Sequence, residues 1–166
     1  MKKIRFYLEK LVNIEKWFCV ISLTIMLAIN FMQVLMRYVF NAPFAWSEEI
    51  ILVLLVWFGF FCMSIDIFYD SHISLTGIYS HLNEKGKKIL NIFKHFLLSA
   101  FFFYMVVYGK QLLAISMRKK LPASHISQGF QFAPMMIGGF IMLVFSLINL
   151  ASVITNTKIE SREENE

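Results

Sequence analysis

Two apolar runs separated by a short polar bend constrain this chain more than any other feature. The first run, Trp17 to Met36, carries no charge, and the second begins after Glu49 and continues to Ile65. A bilayer core about 30 Å thick is spanned by about 20 apolar residues of helix. Lipid offers the backbone no hydrogen-bond partners, so each run must satisfy its own backbone groups as a helix. Between the runs stand Arg37, Asn41, Pro43, Trp46, Ser47, Glu48 and Glu49. These residues predict a tight loop at one membrane face. Pro43 suits a first helical turn, where its missing N–H costs nothing. Glu48 and Glu49 fall early in the next helix, where the backbone dipole favours negative charge. Trp46 suits the interface, with an apolar ring and a wet N–H.

Composition agrees with a membrane chain. The 166 residues are 58% hydrophobic and 16% charged, whereas soluble domains are roughly 45–50% apolar. The net charge of +5 is spread over loops, without the basic stripe of a nucleic-acid binder. Cys19 and Cys62 both lie in apolar runs with no metal or redox spacing, and read as small buried hydrophobes. The first apolar run is longer than the ~7–15 residues of a signal-peptide core, and no small-residue cleavage site follows it.

The expected fold is an all-α membrane protein, a single unit over residues 1–166 with four transmembrane helices. The spans are expected at about 17–36, 43–69, 89–111 and 132–154. Ile4, Leu8, Leu11 and Val12 recur at helical spacing before the first span. That segment reads either as an amphipathic lead-in or as a frayed extension of the helix. Leu75, Ile78, Tyr79 and Leu82 predict a short amphipathic helix at about 73–84, on the cytoplasmic side between spans two and three. Lys94 and His95 are expected to snorkel from the start of span three. Small residues Gly59, Ser64, Gly138 and Gly139 offer places for close helix approach. Asn30 with Gln33, and Ser146 with Asn149, are polar pairs three residues apart within spans, expected to make interhelical hydrogen bonds.

Four spans put both termini on one side. That side, with the loop between spans two and three, holds Lys2, Lys3, Arg5, Lys10, Lys16, Lys85, Lys87, Lys88, Lys94, Lys158 and Arg162, against Arg37, Lys110, Arg118, Lys119 and Lys120 opposite. Eleven cations against five place both termini in the cytoplasm. The cluster Arg118–Lys120 would then be an external anchor for an acidic partner surface. No span carries a charge near its middle, where paths for ions usually show one. Intramembrane histidine pairs for haem, a C-x-x-C, a phosphate loop and a nucleophile triad are also missing from the sequence. Elimination leaves a non-catalytic helical module, without cofactor or metal, that serves another membrane protein. A stand-alone four-helix exporter or redox subunit is the alternative.

The stretch RYVFNAPFAWSEE, then Trp57, then His72-Ile73, resembles the small membrane subunit, DctQ type, of tripartite ATP-independent periplasmic (TRAP) transporters. Arg37, Pro43, Trp46, Ser47, Glu48, Glu49, Trp57, His72 and Ile73 match that pattern, and size and four-helix layout extend the likeness over the chain. Cys62-Met63, Phe68, Tyr69 and Thr76 depart from it. The resemblance implies a bacterial inner-membrane subunit that braces a large, sodium-driven elevator subunit. It further implies a periplasmic substrate-binding protein delivering an organic acid, of the C4-dicarboxylate or sialic acid type. Arg37, Glu48 and Glu49 would fix the bend and present charge to a partner. His72 would lie in the cytoplasmic loop.

Overall fold

The computed structural model describes residues 2–69 and 83–155. They form four helices: α1 (Lys2–Tyr38), α2 (Ala45–Phe68), α3 (Glu84–Ser116) and α4 (Gly129–Ile154). All four are long and apolar enough to cross a membrane. The chain is an all-α membrane protein. Among the described residues the only β pairing is an isolated bridge between Lys120 and Ser127. His72, His81, Asp70 and almost all of the interfacial helix expected at 73–84 lie outside the described residues; Glu84 already belongs to α3.

The helices alternate in direction. The α1–α2 bend and the α3–α4 loop share one end of the molecule, where Glu49 meets Ala123 and Trp57 meets Phe130. We call this the bend end. At the opposite end Lys16 meets Tyr69 and Asn149 meets Ile67. Lateral packing runs α1 on α2, α2 on α4 and α4 on α3. α4 is thus an inner helix although it is last in the chain.

Small residues explain that place. A Cβ at Gly138 would stand 3.0 Å from the Phe60 Cβ of α2, and one at Gly139 would stand 2.6 Å from the Met105 Cε of α3. Successive glycines therefore face opposite neighbours, and both helices close onto the α4 backbone. In lipid, close van der Waals packing of this kind replaces the hydrophobic drive available in water. A buried cluster of Val12, Ile67, Phe102, Met142 and Phe145 draws on all four helices. Phe102 points into it while Phe101, Phe103 and Tyr104 face outward.

Several sequence-based expectations change. α1 is one continuous helix from Lys2, so the segment before the first apolar run extends that helix. Val12 and Glu15 are buried, and the Glu15 Oε1 accepts a 3.1 Å hydrogen bond from the Ser64 Oγ of α2. Packing against α2 holds this segment in the bundle. His95 does not snorkel: α3 starts about three turns earlier, and the ring is 1% exposed. Gly59 meets nothing within 4 Å, so close approach occurs at Gly138 and Gly139 instead. Pro43 precedes the helix rather than opening it, because Phe44 is the N-cap and Ala45 the first helical residue.

Candidate functional site

The bend is built from backbone chemistry. α1 ends at Tyr38, and the Ala42 N–H reaches back to the Met36 carbonyl at 3.0 Å. The reversal needs a left-handed residue, and Asn41 supplies it with φ 50°. Asparagine is among the few non-glycine residues that tolerate this region. Phe44 is extended, at φ −81° and ψ 110°, and its carbonyl accepts from the Ser47 N–H at 3.3 Å and the Ser47 Oγ at 2.6 Å. Ser47 is 1% exposed, and its hydroxyl is engaged within the turn. Trp46 lies at the surface, its ring 5.5 Å from that of Phe44.

Glu48 and Glu49 are about 100° apart on the helix and reach different neighbours. The Glu48 Oε1 accepts from the Gln33 Nε2 at 3.0 Å and stands 3.5 Å from the Arg37 Nη2. The Arg37 and Glu48 side chains are 54% and 65% exposed. Glu49 reaches across to the α3–α4 loop. Its Oε1 accepts from the Ala123 N–H at 2.9 Å, and its Oε2 accepts from both the N–H and the Oγ of Ser124 at 2.7 Å. Carboxylates accepting backbone N–H groups make strong, charge-assisted bonds. That loop also closes on itself, with Leu121 N–H to Ile126 carbonyl at 2.8 Å and Gln128 N–H to Lys119 carbonyl at 2.9 Å. His125, at φ 57°, turns its tip.

A third tie lies deeper. Pro134 stands inside α4 and has no N–H to give the carbonyl four residues earlier, which belongs to Phe130. That carbonyl accepts instead from the Trp57 Nε1 of α2 at 2.9 Å. An indole on one helix thus completes the backbone of another, as apolar surroundings require.

The remaining polar pairs divide. Ser146 is fully buried, within 2.9 Å of the Ser99 Oγ, and its hydroxyl lies 3.2 Å from the His95 carbonyl. The Asn149 Nδ2 donates to the Ile67 carbonyl at 2.8 Å. Gln33 bonds Glu48, whereas Asn30 is exposed beside it. Asn30, Gln33, Arg37 and Glu48 line an open groove between α1 and α2, with Val34 and Leu52 as apolar walls. Among the described residues no three His, Cys, Asp or Glu side chains converge as a metal site. Sequence reasoning missed three features: the Trp57–Phe130 bond, the inward turn of Glu49, and the burial of Glu15. Pro134 was the available signal for the first, since an internal proline always leaves a carbonyl to satisfy.

A hydrogen-bonded bend, an exposed ion pair and a polar groove can bind and position a partner group. Residues 26–156 match the family described as tripartite ATP-independent periplasmic transporters, DctQ component. The chain belongs to this family. DctQ proteins are transporter components, not enzymes. Two relatives in Haemophilus influenzae strain Rd bear the name "Putative TRAP transporter small permease protein". One is 26% identical over 152 residues, 88% of each chain; the other is 23% identical over 155 residues, 93% of this chain and 94% of the relative. A third likeness, 28% over 103 residues, is to the sialic acid TRAP transporter permease protein SiaT of H. influenzae strain 86-028NP. It takes in 62% of this chain and 16% of that longer one.

Proposed function

We propose that this DctQ chain is the small membrane subunit of a sodium-coupled importer of an organic acid. It would brace a large elevator subunit in the bacterial inner membrane and help dock a periplasmic substrate-binding protein. The observation that carries the reading is the bend end. There Glu49 and Trp57 fasten α2 to the α3–α4 loop and α4, while Arg37, Glu48 and Asn30 remain outward. A fixed scaffold needs such stiffness, and outward polar groups on membrane helices call for a protein partner.

The excess of cations at the opposite end supports cytoplasmic termini and a periplasmic bend. The likeness to part of a longer sialic acid permease supports a sialic acid type of substrate over the C4-dicarboxylate type.

The test is a pull-down of the tagged chain from its native membrane in mild detergent, paired with uptake assays. Recovery of one large polytopic protein in fixed ratio is expected. Arg37→Ala should lower the yield of that complex or the uptake of solute. A chain recovered alone through several mild detergents would end the subunit reading.

A further inference from the structure

Cys19 on α1 and Cys62 on α2 are 43 positions apart, yet their sulfurs stand 3.6 Å from each other. The Cys62 thiol donates to the Cys19 sulfur, and the Cys19 Sγ lies 3.9 Å from the Phe58 carbonyl. Both thiols are free, and Cys19 is 7% exposed. Cys62 is the more open of the two. The pair lies about 27 Å along α1 from Arg37, by the 1.5 Å rise of a helix, and so well away from the bend. It has no part in the transporter reading above.

We propose that Cys19 and Cys62 form an oxidation site, at which an apolar hydroperoxide converts the thiol pair into a disulfide joining α1 to α2. Both residues lie in helices long and apolar enough to cross a membrane, so an apolar hydroperoxide dissolved in the surrounding lipid can reach the pair. Peroxidised acyl chains carry their O–O bond within the same apolar phase. Packing between α1 and α2 leaves Cys19 only 7% exposed and so shields the pair from bulky water-borne reagents. A lipid-dissolved peroxide needs no dehydration to reach it.

The sulfur of Cys62 attacks the terminal peroxide oxygen; an S–O bond forms, the O–O bond breaks, and the alcohol departs with the thiol proton. Cys62 is then a sulfenic acid. The sulfur of Cys19 attacks it; the S–S bond forms, the S–O bond breaks, and water leaves with the second thiol proton. The two sulfurs lose two electrons, and the peroxide bond gains them. Contact at 3.6 Å makes the second attack intramolecular, so it outruns further oxidation of the sulfenic acid. Closure to about 2.05 Å follows from side-chain rotation and a small helix shift.

α1 packs laterally on α2, so the cross-link would close a loop through the bend and prevent the two helices from parting.

The experiment uses the full chain in lipid nanodiscs, treated with cumene hydroperoxide, then denatured, alkylated and digested. Joint loss of both thiols is expected, with one Cys19–Cys62 linked peptide in a monomeric chain and recovery of both thiols on reduction. Cys62→Ser should abolish the linked peptide and leave Cys19 a thiol or an oxygenated monothiol product. Retention of both thiols under treatment that oxidises the surrounding lipid, or links only between chains, would overturn the proposal.

Discussion

Glu48 and Glu49 share a charge, a helix turn and a membrane face, yet meet different partners. Glu48 joins an exposed pair with Arg37, and such pairs contribute about 0–1 kcal/mol. Glu48→Gln should therefore leave folding nearly unchanged, with its effect confined to partner binding. Glu49 accepts three hydrogen bonds, two of them from backbone N–H groups of the α3–α4 loop. Glu49→Gln places amide hydrogens against those donors on one side. Hydrogen exchange at Ala123 and Ser124 should become faster in that variant, while Glu48→Gln should leave both amides protected. Equal protection in the two variants would refute this division. Trp57 gives a third residue-scale test. Trp57→Phe keeps an aromatic side chain but removes the N–H, leaving the Phe130 carbonyl without its indole donor at a cost of about 1–3 kcal/mol. To that cost the smaller ring adds lost packing on Phe18 and Phe61. Pro134→Ala restores an N–H to that carbonyl, so the double variant should recover part of the loss in a detergent unfolding titration. Additive losses would show that the indole bond and the proline are unrelated.

At the level of elements, the order α1–α2–α4–α3 follows from where helices can approach. Gly138 faces a Cβ, which cannot move without its backbone; Gly59 faces open space. Gly138→Ala should destabilise by about 1–3 kcal/mol through overpacking. Gly59→Ala should be neutral in packing and gain up to about 1 kcal/mol of helix propensity. Thermal unfolding of the two variants in matched bicelles checks both signs. From sequence these glycines look alike, since each is a small residue in an apolar helix. Only the neighbouring helix separates them. α1 and α3 continue beyond their apolar runs into polar turns that hydropathy alone leaves out. The early turns of α1 stay helical because Val12 and Glu15 pack on α2, a contact no local pattern reveals.

For the whole molecule, the prediction concerns orientation. If the bend end faces the periplasm, a cysteine placed at Lys120 should react with a membrane-impermeant maleimide from outside intact spheroplasts. Protection there, with labelling only after lysis, would reverse the topology. The Arg118–Lys120 cluster would then count with the cytoplasmic cations rather than against them.

Read alone, the order of amino acids determined that this is a four-helix membrane chain, because hydrocarbon thickness sets how long an apolar helix must be. It also determined where the bend falls, since charged side chains are costly in hydrocarbon and gather at its edge. The R-Y-V-F to W-S-E-E stretch carried the family likeness by its spacing. Only the tertiary structure decided which glutamate turns inward, which glycine bears a neighbour, and that two cysteines remote in sequence touch. Those outcomes depend on helix rotation and lateral order. Both are settled by close packing among all four helices, a sum of many short-range contacts between residues far apart in the chain.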